Sequence, residues 1–389
     1  MRVVFVTLAG HGHIYPMVPL AWALRAAGHE VRVAAEPYFC PVPARSGLPA
    51  VPVGHDVDME SYWRDDDGQA RGFGPSSVAD LQRDRVVRAM NMFRGLAEAV
   101  ADDLITLVKQ WPADLVVYDP RAYAGLVAAE VAGVPAVRHL WGPDATYLIR
   151  ETDDPLLEPL WERYGLGKVD QCGTVTVDPC PPSLQVDVDY PVHRMRYVTH
   201  NGGGVVPDWL AHRSRPRVCV TWGTNFSRTA GHLDPVRASI DALAGLDVEV
   251  VVTMLASDRE VLGPVPGQVR LVDFMPLDLL LPTCDVVVNQ AGPGTALTAM
   301  ACAVPQVLAP TYGDEWLNAE RLTQAGAART VAQRPLTAEA LRAAVTAVLD
   351  DDGHRRAARK LADENEAQPA PAALVPHLVE LARTGRPAT

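Results

Sequence analysis

Apolar residues recur along this chain at two alternating spacings. Residues 1–7 form an almost unbroken β-branched and aromatic run, as expected of a strand covered on both faces. Val18, Leu20, Ala21, Leu24 and Ala27 then fall near helical spacing and stop at Gly28-His29, and residues 31–35 are apolar again. This reads as a β-α-β unit, so the expected architecture is α/β with a doubly wound parallel sheet. Further strand-like runs at 113–119 and 136–140 extend that sheet. The pattern restarts at 217–221 and continues at 248–254, 286–288 and 305–308, which predicts a second sheet of the same kind. A proline-rich run at 179–182 and the run Asn201-Gly202-Gly203-Gly204 separate the halves, placing a boundary near residue 205 and suggesting a hinge there. Residues 354–383 are largely helical and Ala-rich, with a break at Pro369 and Pro371.

Composition narrows the class. The 389 residues suffice for two cores, and 48% hydrophobic content fits a globular chain. A net charge of -12 counts against nucleic acid as a partner, which would need a basic face. The six cysteines have no C-x-x-C spacing and read as small core residues in a reducing compartment. No run reaches the roughly 18 apolar residues of a membrane span, and no secretory leader precedes the first strand, so a cytoplasmic location is expected.

The candidate chemistry lies in the turns. The strand 286–288 enters Asn289-Gln290-Ala291-Gly292-Pro293-Gly294-Thr295, after which Ala296, Leu297, Ala299 and Met300 read as a helix. A glycine-rich turn opening a helix is an anion-binding arrangement, because unpaired N–H groups of the first helical turn point outward. The bland alternative is a tight connection with no ligand. The next unit brings Asp314 and Glu315 onto a neighbouring loop, where they would accept hydrogen bonds from hydroxyls. Phosphate and hydroxyl recognition side by side suit a nucleotide-linked sugar. The turn after the first strand holds His11 and His13 around Gly12, and lacks the third glycine of a dinucleotide fingerprint because position 15 is Tyr15. Either imidazole could serve as a base for a hydroxyl, or simply bond loop backbone. Asp119 ends a strand on the same rim; it could hydrogen-bond His13 or cap the helix that follows.

Residues 269–322 (VRLVDFMPLDLLLPTCDVVVNQAGPGTALTAM and onward) resemble the donor-binding signature of GT-B glycosyltransferases of family 1, especially the actinomycete antibiotic subgroup. The family's His-His-Gly-Gly stands here as Asn289-Gln290-Ala291-Gly292, and its Asp-Gln as Asp314-Glu315. Residues 176–185 and 197–204 are similar to the same subgroup. The resemblance implies two Rossmann-like domains facing across a cleft: 1–204 for the acceptor, 205–375 for the nucleotide-sugar, and 376–389 as a tail or helix crossing back. It implies His13 as the acceptor base, with Asp119 beside it. For the donor it implies Gly223, Thr224 and Ser227, the base-holding Phe274 and Met275, and Asn289, Gly292, Gly294 and Thr295 at the diphosphate. Gly12, Trp63, Phe73, Met90, Phe93 and Trp141 are expected at the acceptor, Asp314 and Glu315 at the sugar. Met90, Met92 and Phe93 fall at helical spacing and read equally well as core. The expected reaction is an inverting, metal-independent transfer of a deoxyhexose from a dTDP- or UDP-sugar to a natural-product aglycone such as a polyketide. No resident cofactor is implied, and a homodimer is left open. C-transfer to an aromatic carbon, a nucleotide-sugar epimerase and a non-catalytic auxiliary subunit are the alternatives.

Overall fold

A computed structural model describes residues 1–63, 78–223, 232–311, 313–332 and 335–386; the side chains of 60 and 63–85 lie outside that description. The chain divides into two compact units, one of Met1–Pro179, Asp187–Met195 and Pro369–Thr389, the other of Cys180–Val186 and Arg196–Gln368.

Among the described residues the first unit is built on a seven-stranded sheet, every pairing parallel. Its strands are β1 Arg2–Val6, β2 Glu30–Ala35, β3 Ala50–Pro52, β4 Leu115–Tyr118, β5 Ala136–His139, β6 Val175–Asp178 and β7 Val192–Arg194, in spatial order β3-β2-β1-β4-β5-β6-β7. The first strand shows why its run is uninterrupted. Val3 and Phe5 point into one core while Val4 and Val6 point into the other, so the period of two has no polar face to display. Helices α1 His11–Ile14 and α2 Val18–Ala26 follow β1. The long α3 Val78–Gln110 precedes β4, and α4 Tyr123–Ala132 follows it. Gly125 lets α4 lie close on the sheet, since a Cβ there would sit 2.6 Å from Tyr118 Cβ.

The second unit repeats the plan with six parallel strands in the order β10-β9-β8-β11-β12-β13. They are β8 Arg217–Thr221, β9 Glu249–Thr253, β10 Val269–Val272, β11 Val286–Asn289, β12 Gln306–Leu308 and β13 Ala328–Thr330. Helix α5 Pro293–Ala301 follows β11, and α6 Glu315–Gln324 follows β12; α7 Asp352–Glu366 packs on α5. In each sheet the chain runs outward over three strands and returns beside the first. The switch points, where ligands of such sheets bind, therefore lie between β1 and β4 and between β8 and β11.

The structure draws its divisions elsewhere than the turn residues suggest. Residues 196–204, expected in the first domain, lie in the second unit, where the Tyr197 N–H donates to Asn365 Oδ1 at 2.8 Å and Asn365 Nδ2 donates back to the Tyr197 carbonyl at 3.0 Å. The final helix, α8 Pro371–Thr384, starts five residues before 376, with proline at its first position, where no N–H is required. Its Leu374, Leu378 and Leu381 join Val18, Leu20 and Leu24 in one core of the first unit.

Candidate active site

In the first unit the site grows from the ends of β1 and β4. Gly10 has extended backbone (φ -156°) and opens α1, and the His13 N–H donates to its carbonyl at 3.1 Å. The His13 ring folds back over Gly10: a Cβ there would stand 2.9 Å from His13 Cδ2. Asp119, fully buried, continues the ladder by donating its N–H to the Val6 carbonyl at 3.0 Å. Its Oδ2 lies 2.7 Å from His13 Nδ1, and its Oδ1 accepts the Arg121 N–H at 2.9 Å. The acid thus both holds the histidine and shapes the turn before α4. An Nδ1–H donated to that carboxylate puts the basic lone pair on Nε2. The His13 side chain is 32% exposed, and its ring meets Trp141 edge-on at 5.0 Å. His11 instead contacts the rings of Tyr15 and Phe39. Gly12 is exposed between the two histidines.

Arg121 anchors this turn from below. Its guanidinium donates to buried Asp153 at 2.6 Å and to the Tyr123 hydroxyl at 2.8 Å, and lies over the Phe93 ring at 5.1 Å. Met90 is not a surface residue for an acceptor. It is 1% exposed, with its sulfur 3.3 Å from the Arg121 guanidinium, because the apolar stripe of α3 that carries Met90, Ala97, Ala101 and Leu104 faces the sheet. Phe93 is half-buried at the margin of that core. Trp63 ends the 3-10 turn Met59–Trp63, with its side chain outside the described residues, where Phe73 also falls.

In the second unit the site grows from β8 and β11. Gly223, just past β8, takes φ +70°. Gly292 caps α5, and Gly294 and Thr295 supply N–H groups in its first turn after Pro293. A Cβ on Gly223 would stand 2.9 Å from Gln290 Nε2, and one on Gly292 3.0 Å from it. The Gln290 carboxamide therefore lies between two glycines at the switch point, and its buried Oε1 accepts no hydrogen bond among the described residues. Sequence reasoning gave Gln290 no role. Its place two residues before the capping glycine was the available signal.

Asn289 and Glu315 depart from expectation. Asn289 is fully buried: Nδ2 donates to Gln306 Oε1 at 3.1 Å, and Oδ1 accepts the Ala291 N–H at 2.7 Å. Its amide holds the turn instead of facing a phosphate. The alternation of β11 explains this, since Val287 faces one core and Asn289 shares that inward side. Ala291, also fully buried, is held at φ +68°, the left-handed region that favours glycine. Glu315 is 4% exposed, and its Oε2 accepts from both the N–H and the hydroxyl of Thr311 at 2.7 Å each, so it braces the loop after β12. Asp314, half-buried, stands at the N-terminus of α6. Asn318 ties α6 to the turn by donating to the Ala291 carbonyl at 2.9 Å. Phe274 is 46% exposed, while Met275 packs on an apolar cluster. Thr224 and Ser227 lie outside the described residues. Among the described residues no three His, Cys, Asp or Glu side chains gather as a metal site, and no helix is long and apolar enough to cross a membrane.

Two family profiles match the chain: the erythromycin biosynthesis protein CIII-like N-terminal domain over residues 22–223, and the corresponding C-terminal domain over 237–381. The chain is 38% identical to the 10-deoxymethynolide desosaminyltransferase of Streptomyces venezuelae, covering 99% of this chain and 98% of that protein. It is 37% identical to the aklavinone 7-beta-L-rhodosaminyltransferase of Streptomyces galilaeus, covering 98% and 96%. Among solved structures, the spinosyn rhamnosyltransferase SpnG complexed with thymidine diphosphate superposes with a TM-score of 0.84 at 31% identity, covering 97% of this chain and all of that one. The same enzyme complexed with spinosyn aglycone gives 0.83.

Proposed function

We propose a specific course of reaction for this chain, which belongs to the erythromycin biosynthesis protein CIII-like family and is a GT-B glycosyltransferase. The donor is a deoxyhexose linked to dTDP, with UDP as the lesser choice, and the acceptor is a hydroxyl of an apolar natural-product aglycone such as a polyketide. His13 Nε2 removes the hydroxyl proton. The resulting oxygen nucleophile attacks the anomeric carbon from the face opposite the nucleotide. A new C–O bond forms as the bond to the diphosphate breaks, and the configuration inverts.

The observation that carries this reading is the 2.7 Å contact between His13 Nδ1 and buried Asp119 Oδ2. An Nδ1–H donated to that carboxylate leaves Nε2 as the basic nitrogen and would stabilise the imidazolium formed on proton transfer, which supports the reading. On the donor side the departing diphosphate gains negative charge. The N–H groups of Gly294 and Thr295 at the start of α5, with the Gln290 amide, are the donors suited to it. The thymidine diphosphate held by the similar rhamnosyltransferase supports dTDP. The exposed Phe274 ring is suited to stack on the pyrimidine.

The test is calorimetric titration of dTDP and UDP into the purified chain, followed by product analysis with a dTDP-deoxysugar and macrolactone acceptors. Micromolar dTDP binding and an inverted glycoside support the reading. Absence of binding by either nucleotide at millimolar concentration would overturn it.

A further inference from the structure

The run after Tyr197 reads in sequence as a linker, yet its side chains reach two separate parts of the proposed donor site. Asn201 Oδ1 accepts the N–H of Asp278 at 3.0 Å, directly behind the turn Phe274-Met275-Pro276. Asn201 Nδ2 donates to the Thr298 hydroxyl at 3.3 Å, on the second turn of α5. Thr298 in turn donates to the Gly294 carbonyl at 2.6 Å, and the Tyr197 hydroxyl lies 3.4 Å from the same oxygen. Gly204 adds a steric contact: a Cβ there would stand 2.7 Å from Pro276 Cδ. Pro276 is a rigid ring and cannot yield as a long side chain would.

We propose that Asn201 is a positioning residue for the nucleotide, clamping the base-holding turn at Phe274 to the phosphate cradle at Gly294. The proposal rests on the donor-site reading given above. A nucleoside diphosphate engages both places at once, so its affinity depends on their spacing. If they drift independently, the ligand must order them on binding, and that cost appears in its dissociation constant. Inorganic pyrophosphate touches the cradle alone and is indifferent to the spacing. The amide suits the task because one side chain offers an acceptor and a donor about 2 Å apart, enough to bridge two elements. Gly204 works with it by letting the backbone lie against Pro276.

The experiment compares dTDP with inorganic pyrophosphate, each titrated into the full chain and into Asn201→Ala and Gly204→Ala. Binding of dTDP by the unaltered chain tests the donor-site reading by itself; the variants test the clamp. Each variant is expected to weaken dTDP about tenfold, the equivalent of one lost hydrogen bond or a displaced turn. Pyrophosphate affinity, read by direct titration at millimolar concentration, stays within about twofold. Donor KM rises in step with the dTDP loss, while acceptor KM and kcat hold. Asn201→Asp retains the acceptor for the Asp278 N–H and recovers part of the lost affinity. Unchanged dTDP affinity in both variants, or equal weakening of dTDP and pyrophosphate, overturns the clamp. Gly204→Ala keeps the test open if Asn201→Ala fails to fold.

Discussion

His13 and Asp119 stand 106 positions apart in sequence, yet the imidazole Nδ1 and the carboxylate Oδ2 are 2.7 Å apart, the carboxylate fully buried and the ring at the surface. Adjacent parallel strands make this contact, because β1 and β4 end on the same rim. His13→Ala is expected to lower kcat by roughly 10²–10⁴-fold while dTDP affinity stays within twofold. Asp119→Asn would set an amide against Nδ1–H, favour the wrong tautomer and lower kcat by a comparable factor. Steady-state rates beside calorimetry check both. Full activity in His13→Ala would remove it as the base.

Gln290 and Asn289 are neighbours with different tasks, and their variants should separate. Gln290→Ala is expected to weaken dTDP five- to tenfold with little change in Tm. Asn289→Ala leaves the Ala291 N–H and the Gln306 amide oxygen without their partners, costing about 1–3 kcal/mol for each buried group. Thermal unfolding and nucleotide titration on the same samples distinguish them; a thermally neutral Asn289→Ala would contradict the structural role.

Ala291 at φ +68° offers a test of backbone strain. Ala291→Gly relieves about 1–2 kcal/mol of left-handed strain but loses a buried methyl and gains unfolded-state entropy, so the net change should fall within about 0.5 kcal/mol. Ala291→Val keeps the strain, adds branching at Cβ and overfills a fully buried position, and should cost more than about 2 kcal/mol. Denaturant midpoints measure both, and a stable Ala291→Val would show that the turn relaxes.

His139 links stability to pH. Burial lowers its pKa from 6.5 to about 4; its Nδ1–H donates to the Leu140 carbonyl at 2.8 Å, and its buried Nε2 has no hydrogen-bond partner among the described residues. Above pH 6.5 the ring is neutral in both states and costs nothing. As pH falls from 6.5 toward 4, the unfolded chain takes up a proton that the folded chain refuses, and stability is lost by up to about 1.4 kcal/mol per unit. His139→Asn keeps a donor for Leu140 and removes the titration. Between pH 7.5 and pH 5 it should lose about 2 kcal/mol less than the unaltered chain, read from urea midpoints. Equal losses would mean that His139 does not govern this window.

Eight of the thirteen described strands, the repeated β-α-β plan and the glycine turn at Gly292 were legible in the sequence, because a parallel strand buried on both faces is apolar along its length and a tight entry into a helix favours small residues. The partly exposed edge strands β3, β7, β10 and β13, and β6, which runs straight into Pro179, were not. His13 and Asp119 could be named as candidates because an imidazole and a carboxylate at strand ends on one rim can share a proton, and Gly294 because it stands in a glycine-rich turn that opens a helix, while the resemblance chose His13 over His11. Sequence spacing did not tell which way a side chain turns. Asn289 and Glu315 sit in the right motif but spend their polar atoms on Gln306 and Thr311, and Met90 faces the core because of the rotation of α3. Such choices depend on which partner the fold brings within about 3 Å, a long-range condition. Asn201 is the clearest case: by local pattern it begins a glycine linker, and only the packed unit supplies Asp278 and Thr298, 77 and 97 residues away, as its partners.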